Sequence, residues 1–133
     1  MPNVNVLIFV ESRYKVNRKR IRTALSNLLN QQGVHSAVEV SVAIVGDRKM
    51  RQLSKKYKGE DKTRNVLSFS LVEGGYHPAP SHPGPNDVLR LGDIVISYPV
   101  VITEASREEV LVDDKIDELV IHGMSHLLGL HHD

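Results

Sequence analysis

The stretch Ile121-His122-Gly123-Met124-Ser125-His126-Leu127-Leu128-Gly129-Leu130-His131-His132-Asp133 decides how this chain is read. His122 and His126 are four residues apart, so at ~3.6 residues per turn they project from one side of a helix. The helix extends backwards to Val112, and Ile116, Leu119, Val120, Met124 and Leu127 form its apolar stripe. The two histidines fall at the edge of that stripe, where a bound ion has core on one side and solvent on the other. Gly129 offers the left-handed turn that ends such a helix, after which Leu130 packs and His132 returns towards the pair. Three imidazoles leave a tetrahedral zinc with one open position, the arrangement of catalytic sites. Structural zinc sites close all four positions, usually with thiolates, and this chain has no cysteine. A histidine tag is contiguous, whereas here Leu127, Leu128 and Leu130 are interleaved at packing positions. The expectation is one zinc ion per chain, held by His122, His126 and His132.

Working outward, Val4 to Val10 reads as a strand. Ile21, Ala24, Leu25, Leu28 and Leu29 mark one face of a helix between Val16 and Gln32, which Gly33 can stop. Val38 to Val45 alternates as a second strand. Asp47 is placed to cap a short helix reaching about Tyr57. Asn65 to Val72 and Leu91 to Ser97 are strand-like, and Glu73 to Arg90, with four prolines and three glycines, reads as a long surface loop. His77 and His82 lie in that loop as ordinary polar residues. Pro99 suits the first turn of a helix running through Arg107. The order strand, helix, strand, helix, two strands, helix, helix predicts an α/β (α+β) domain over 1–133. It has a single mixed sheet of about four strands covered by helices, and a zincin-like metal site on the C-terminal helix.

Composition narrows the function. The 133 residues suit one domain, with 41% hydrophobic and 25% charged residues. No apolar run approaches the ~20 residues that span a bilayer, and the start Met-Pro-Asn-Val-Asn does not resemble a secretory signal. No membrane association is expected, and cytoplasmic residence is the default. The formal net charge is only +1, but Arg48, Lys49, Arg51, Lys55, Lys56, Lys58, Lys62 and Arg64 cluster against Asp47, Glu60 and Asp61. Arg13, Lys15, Arg18, Lys19, Arg20 and Arg22 form a second basic group, whereas Glu104 to Glu118 is acidic. Such asymmetry either attracts a polyanion or marks solvated helix faces. With aromatic residues at 5%, extensive base stacking is not expected.

The spacing His-x3-His-x2-Gly-x2-His is that of the metzincin peptidases, which place Glu directly after the first histidine as general base. Here that position is Gly123, which cannot accept a proton. The pattern HGxxHLxGxxH instead resembles the signature of the YbeY endoribonuclease family. Leu53 to Phe69, containing Asp61-Lys62-Thr63-Arg64-Asn65-Val66-Leu67-Ser68-Phe69, resembles the family segment that reads DKPT, then Asp or Asn, then VLSFP. Leu91-Gly92-Asp93-Ile94-Val95-Ile96-Ser97 is similar to its LGDIVI strand. The three matches fall in family order and reach across most of the C-terminal two-thirds of the chain.

The resemblance implies a zinc-dependent endoribonuclease specific for single strands. Its implied partners are single-stranded RNA, ribosomal RNA and the ribosome, in rRNA maturation and ribosome quality control. Lys58 stands where the family usually has arginine, keeping the charge but not the bidentate fork suited to phosphate. It is either the catalytic cation facing the substrate or an ordinary solvated lysine, with Arg64 as local substitute and Lys62 beside it as a further phosphate contact. Thr63-Arg64 replaces the usual Pro-Thr, and His131 replaces a common Asp, so it competes with His132 for zinc. The chain stops at Asp133 where relatives continue, so the α-carboxylate and the Asp133 side chain are expected close to the metal. Asp93 is expected to have a capping or structural role rather than to act as a base. Two other classes stay open: a metal-stabilised ribosome-binding or RNA-binding factor with weak or lost hydrolysis, and a metallopeptidase, against which Gly123 argues. The oligomeric state is not legible.

Overall fold

The computed structural model describes residues 4–71 and 88–130. Its elements run β1 (Val4–Val10), α1 (Arg18–Gln31), β2 (Val38–Val45), α2 (Asp47–Lys58), β3 (Val66–Ser70), β4 (Leu89–Ser97), α3 (Tyr98–Glu108) and α4 (Val112–Leu127). The strands form one sheet in the order β1-β2-β4-β3. β1, β2 and β4 run parallel, and β3 is antiparallel to β4. The expected mixed α/β sheet of four strands is therefore present.

Side-chain alternation separates the two faces of the sheet. Val38, Val40, Val42 and Ile44 of β2 and Ile94 and Ile96 of β4 point into the main core, with Ile21, Leu25 and Leu29 of α1 and Ile116, Val120 and Met124 of α4. Burying each such aliphatic side chain contributes roughly 1.5–3 kcal/mol. On the opposite face Val45, Leu67 and Val95 pack with Met50 of α2 in a smaller core. Helices thus cover both faces, and α4 lies across β4 and β3 with its C-terminal turn near Gly92: a Cβ there would meet Leu127 Cδ2 at 3.0 Å.

Charged groups tie the helices together. Arg20 of α1 donates to Asp117 of α4 at 2.6 Å and also to Asp114, and both carboxylates hold its guanidinium more basic than usual. Lys115, only 6% exposed at its side chain, reaches Glu108 at 2.8 Å, Glu118 at 2.7 Å and Glu104 at 3.6 Å. Glu104 also accepts from Asn65 Nδ2 at 3.2 Å. The acidic segment is in this way partly neutralised from within.

Two expectations need correction. Asp47 does not cap α2: Gly46 is the N-cap, without a side-chain bond, and Asp47 is the first helical residue. Its carboxylate instead accepts from Arg51 Nε at 3.0 Å, one turn on, while sitting at the favourable end of the helix dipole. β4 begins at Leu89 rather than Leu91, because Leu89 and Arg90 pair with Val38 and Glu39 before the register shifts. Val40 then opposes Gly92, so Leu91 is the extra residue of a bulge, and its side chain is fully buried. Glu73 to Asp87 of the proposed loop, with His77 and His82, lies outside the described residues.

Candidate metal centre

α4 forms because its apolar stripe docks on the sheet and its first turn carries Asp113 and Asp114. Within it, Gly123 faces Ile94 so closely that a Cβ there would stand 2.7 Å from Ile94 Cγ2. This contact presses the helix against β4, and the neighbouring positions His122 and His126 emerge on its exposed side. Their Nε2 atoms are 3.1 Å apart, and the rings meet edge-on at 75° with centroids 4.6 Å apart. Two imidazole nitrogens bound at ~2.0–2.1 Å to one tetrahedral zinc lie roughly 3.4 Å from each other. The observed pair is within a few tenths of an ångström of that separation, so these two nitrogens are spaced for a shared ion.

The chain leaves the helix as the sequence suggested. Leu128 is the C-cap and Gly129 adopts φ 78°. Gly129 N–H donates to His126 O at 3.0 Å, and Leu130 N–H donates to Ser125 O at 2.8 Å. These two bonds make the Schellman turn, which a side chain at position 129 would strain. Leu130 packs against the main core, so the bend is anchored. His132, with His131 and Asp133, lies outside the described residues. Among the described residues, no group of three potential ligands comes together.

The phosphate-contact candidates lie on and after α2. Lys58 is the last residue of that helix and is exposed. Lys62 and Arg64 both pair with Glu60 at 2.8 Å, and Arg64 Nε also donates to the buried Ser54 Oγ at 3.3 Å. The Lys62 ammonium, with Arg64 beside it, holds the Glu60 carboxyl below its ordinary range. Arg48, Lys49, Lys55 and Lys56 are exposed along α2. Asp93 accepts from Ser41 Oγ, its register partner on β2, so it serves the sheet, as expected for a structural residue.

Reasoning from the sequence missed two participants. Ser54, fully buried, receives Arg64, but a serine within a basic helix carries no signal of that role. Tyr57 is 54% exposed, and its ring lies 4.9 Å from that of Phe69. A low aromatic content hid it, because one placed ring matters more than a percentage. A separate concave region of about 630 Å³ lies beyond the carboxyl ends of β1 and β2, lined by Glu11, Arg13, Tyr14, Arg48 and Lys49 among others. Among the described residues that line it, neither His122 nor His126 occurs.

A family model described as endoribonuclease YbeY matches residues 8–133. A relative of the same description from Syntrophus aciditrophicus is 35% identical over 123 residues, covering 92% of this chain and 72% of its own length. Another, from Moorella thermoacetica, is 38% identical over 103 residues, covering 77% of this chain and 65% of its own length. The chain thus spans about two-thirds to three-quarters of these relatives. A solution structure of a Thermotoga maritima protein superposes with a TM-score of 0.62 at 22% identity, covering 97% of this chain and 75% of that one, which supports the fold. Among the described residues no helix is long and apolar enough to cross a membrane.

Proposed function

Given that this chain belongs to the endoribonuclease YbeY family, we propose that it is a zinc-dependent, single-strand-specific endoribonuclease acting in ribosomal RNA maturation and ribosome quality control. The observation that carries the reading is the 3.1 Å approach of His122 Nε2 and His126 Nε2 on the exposed side of α4. In this reading the two, with His132 after the Gly129 bend, hold one zinc ion per chain. When bound there, zinc supplies Lewis acidity and a water made acidic enough to ionise near neutral pH.

The chain's own residues do the rest. Lys58 meets the substrate phosphate and steadies the charge that builds on it, as a point charge rather than a bidentate fork. Lys62, Arg64 and the exposed cations of α2 bind flanking phosphates and displace their counterions. A Glu in place of Gly123, needed for the peptidase mechanism, has no room against Ile94. Phosphodiester cleavage asks nothing of that position.

The test is metal analysis of freshly purified protein together with cleavage of a labelled single-stranded RNA. One zinc per chain, cutting abolished by chelator and by His126→Ala, and retained folding of the variant are expected. Zinc-loaded protein that leaves RNA intact would overturn the enzyme and leave only a metal-stabilised binding factor.

A further inference from the structure

On the face of the sheet opposite α4, Tyr57 stands near the end of α2 with more than half its surface exposed. Phe69 of β3 fixes its ring, with centroids 4.9 Å apart and planes inclined by 59°. Lys56 Nζ lies 5.1 Å from the ring centroid, and Lys55 is a further exposed cation of the same helix. A single strand of nucleic acid is held by this pairing of chemistries, an aromatic plane for a base and cations for the adjoining phosphates.

The position relates to the histidines through the sheet. Phe69 pairs with Asp93 of β4, and its carbonyl oxygen stands against Gly92, where a Cβ would meet it at 2.1 Å. The other near neighbour of that missing Cβ is Leu127 Cδ2, one residue from His126. Tyr57–Phe69 and the last turn of α4 therefore lie on opposite faces of the same stretch of β3 and β4. Among the described residues β3 is the edge of the sheet. A flexible single strand can turn round that edge from one face to the other. A duplex keeps its bases stacked and bends at great cost.

We propose that Tyr57, braced by Phe69, is the stacking platform for one base of the bound RNA, placing the strand so that it passes round the β3 edge to the histidine pair. This rests on the nuclease reading above and adds the residue that selects single strands. A base lying on Tyr57 takes the place of the Lys56 ammonium, which then meets the neighbouring phosphate.

The experiment measures binding of a short 2′-O-methyl RNA, which resists cutting, by fluorescence anisotropy over a range of salt. Tyr57→Phe should bind as the unaltered protein does. Tyr57→Ala and Tyr57→Leu should weaken binding roughly five- to hundred-fold, as loss of one stacked base does. Tyr57→Leu keeps an apolar contact for Phe69, which guards against a folding defect. The salt slope should stay the same in all three, whereas Lys56→Ala should lower it by ~0.7. The chain has four tyrosines and no tryptophan, so RNA should quench tyrosine emission, and less so in Tyr57→Phe. Unchanged affinity in Tyr57→Leu, with cleavage intact in the unaltered protein, would overturn the platform and leave the nuclease standing. Failure of the unaltered protein to bind or cut RNA would remove both.

Discussion

Gly123 Cα faces Ile94 with no space for a side chain between them, since a Cβ on Gly123 would lie 2.7 Å from Cγ2 and 3.1 Å from Cγ1 of Ile94. The contact sets how deeply α4 sits on β4. It also excludes a carboxylate from the residue directly after the first metal-ligand candidate. One missing methyl group thus bears on both packing and chemistry.

Gly123→Ala tests this contact. Alanine favours the helix by ~1 kcal/mol over glycine, but overpacking against a branched side chain costs about 1–3 kcal/mol. Net destabilisation is expected in urea melts, together with weaker zinc retention as α4 shifts. Combining it with Ile94→Ala should cost less than the sum of the two single changes. Strict additivity would mean that the contact is not what seats the helix.

Lys115 of α4 is buried and pairs with Glu104 and Glu108 of α3. Its bonds to Glu108 and Glu118, the larger influence being Glu108, hold the ammonium above its ordinary value. Their contribution is fully present below about pH 10.5, the ordinary lysine value, and fades only as pH rises through the raised one. Lys115→Met should therefore lower stability by about 1–3 kcal/mol at neutral pH. A melting temperature equal to that of the unaltered protein would refute the role.

Glu60 restrains two of the proposed RNA contacts, Lys62 and Arg64. Glu60→Gln should tighten RNA binding several-fold and steepen its salt dependence by up to ~1.4, about 0.7 for each phosphate gained. With its carboxyl held low, what these pairs contribute is present above about pH 4.5, the ordinary value, and is lost as pH falls through the lowered one. An NMR titration of the Glu60 carboxyl in the unaltered protein and in Lys62→Ala reads this out; no change in its midpoint would refute the pairing.

Lys58 separates a catalytic cation from a solvated one. Lys58→Ala should reduce the RNA cleavage rate about tenfold or more, the scale of a lost charge-assisted contact. Lys58→Arg should raise it by restoring a bidentate donor. Equal rates in all three proteins would assign Lys58 to the solvent.

The architecture was legible where periodicity is strong. The alternation of Val38 to Val45 and the stripe of α4 announce buried faces, because a pleated strand repeats every two residues and a helix every ~3.6. The differences fall at ends: Asp47 has the side chain that favours a cap, yet Gly46 supplies the extended backbone there. The early start of β4 depends on pairing with β2 across a bulge, which no local pattern encodes.

Residue identity and local spacing were enough for the histidine pair, since four residues along a helix bring two side chains to one side whatever surrounds them. They were enough for the Gly129 turn as well, because the left-handed conformation belongs to that residue's own backbone. Only the folded chain could reveal that Gly123 abuts Ile94, that Arg20 of α1 meets Asp117 of α4, and that Tyr57 leans on Phe69. Each of the three joins positions from separate elements. Such meetings are set by how the layers stack, a property of the packed whole rather than of any short segment.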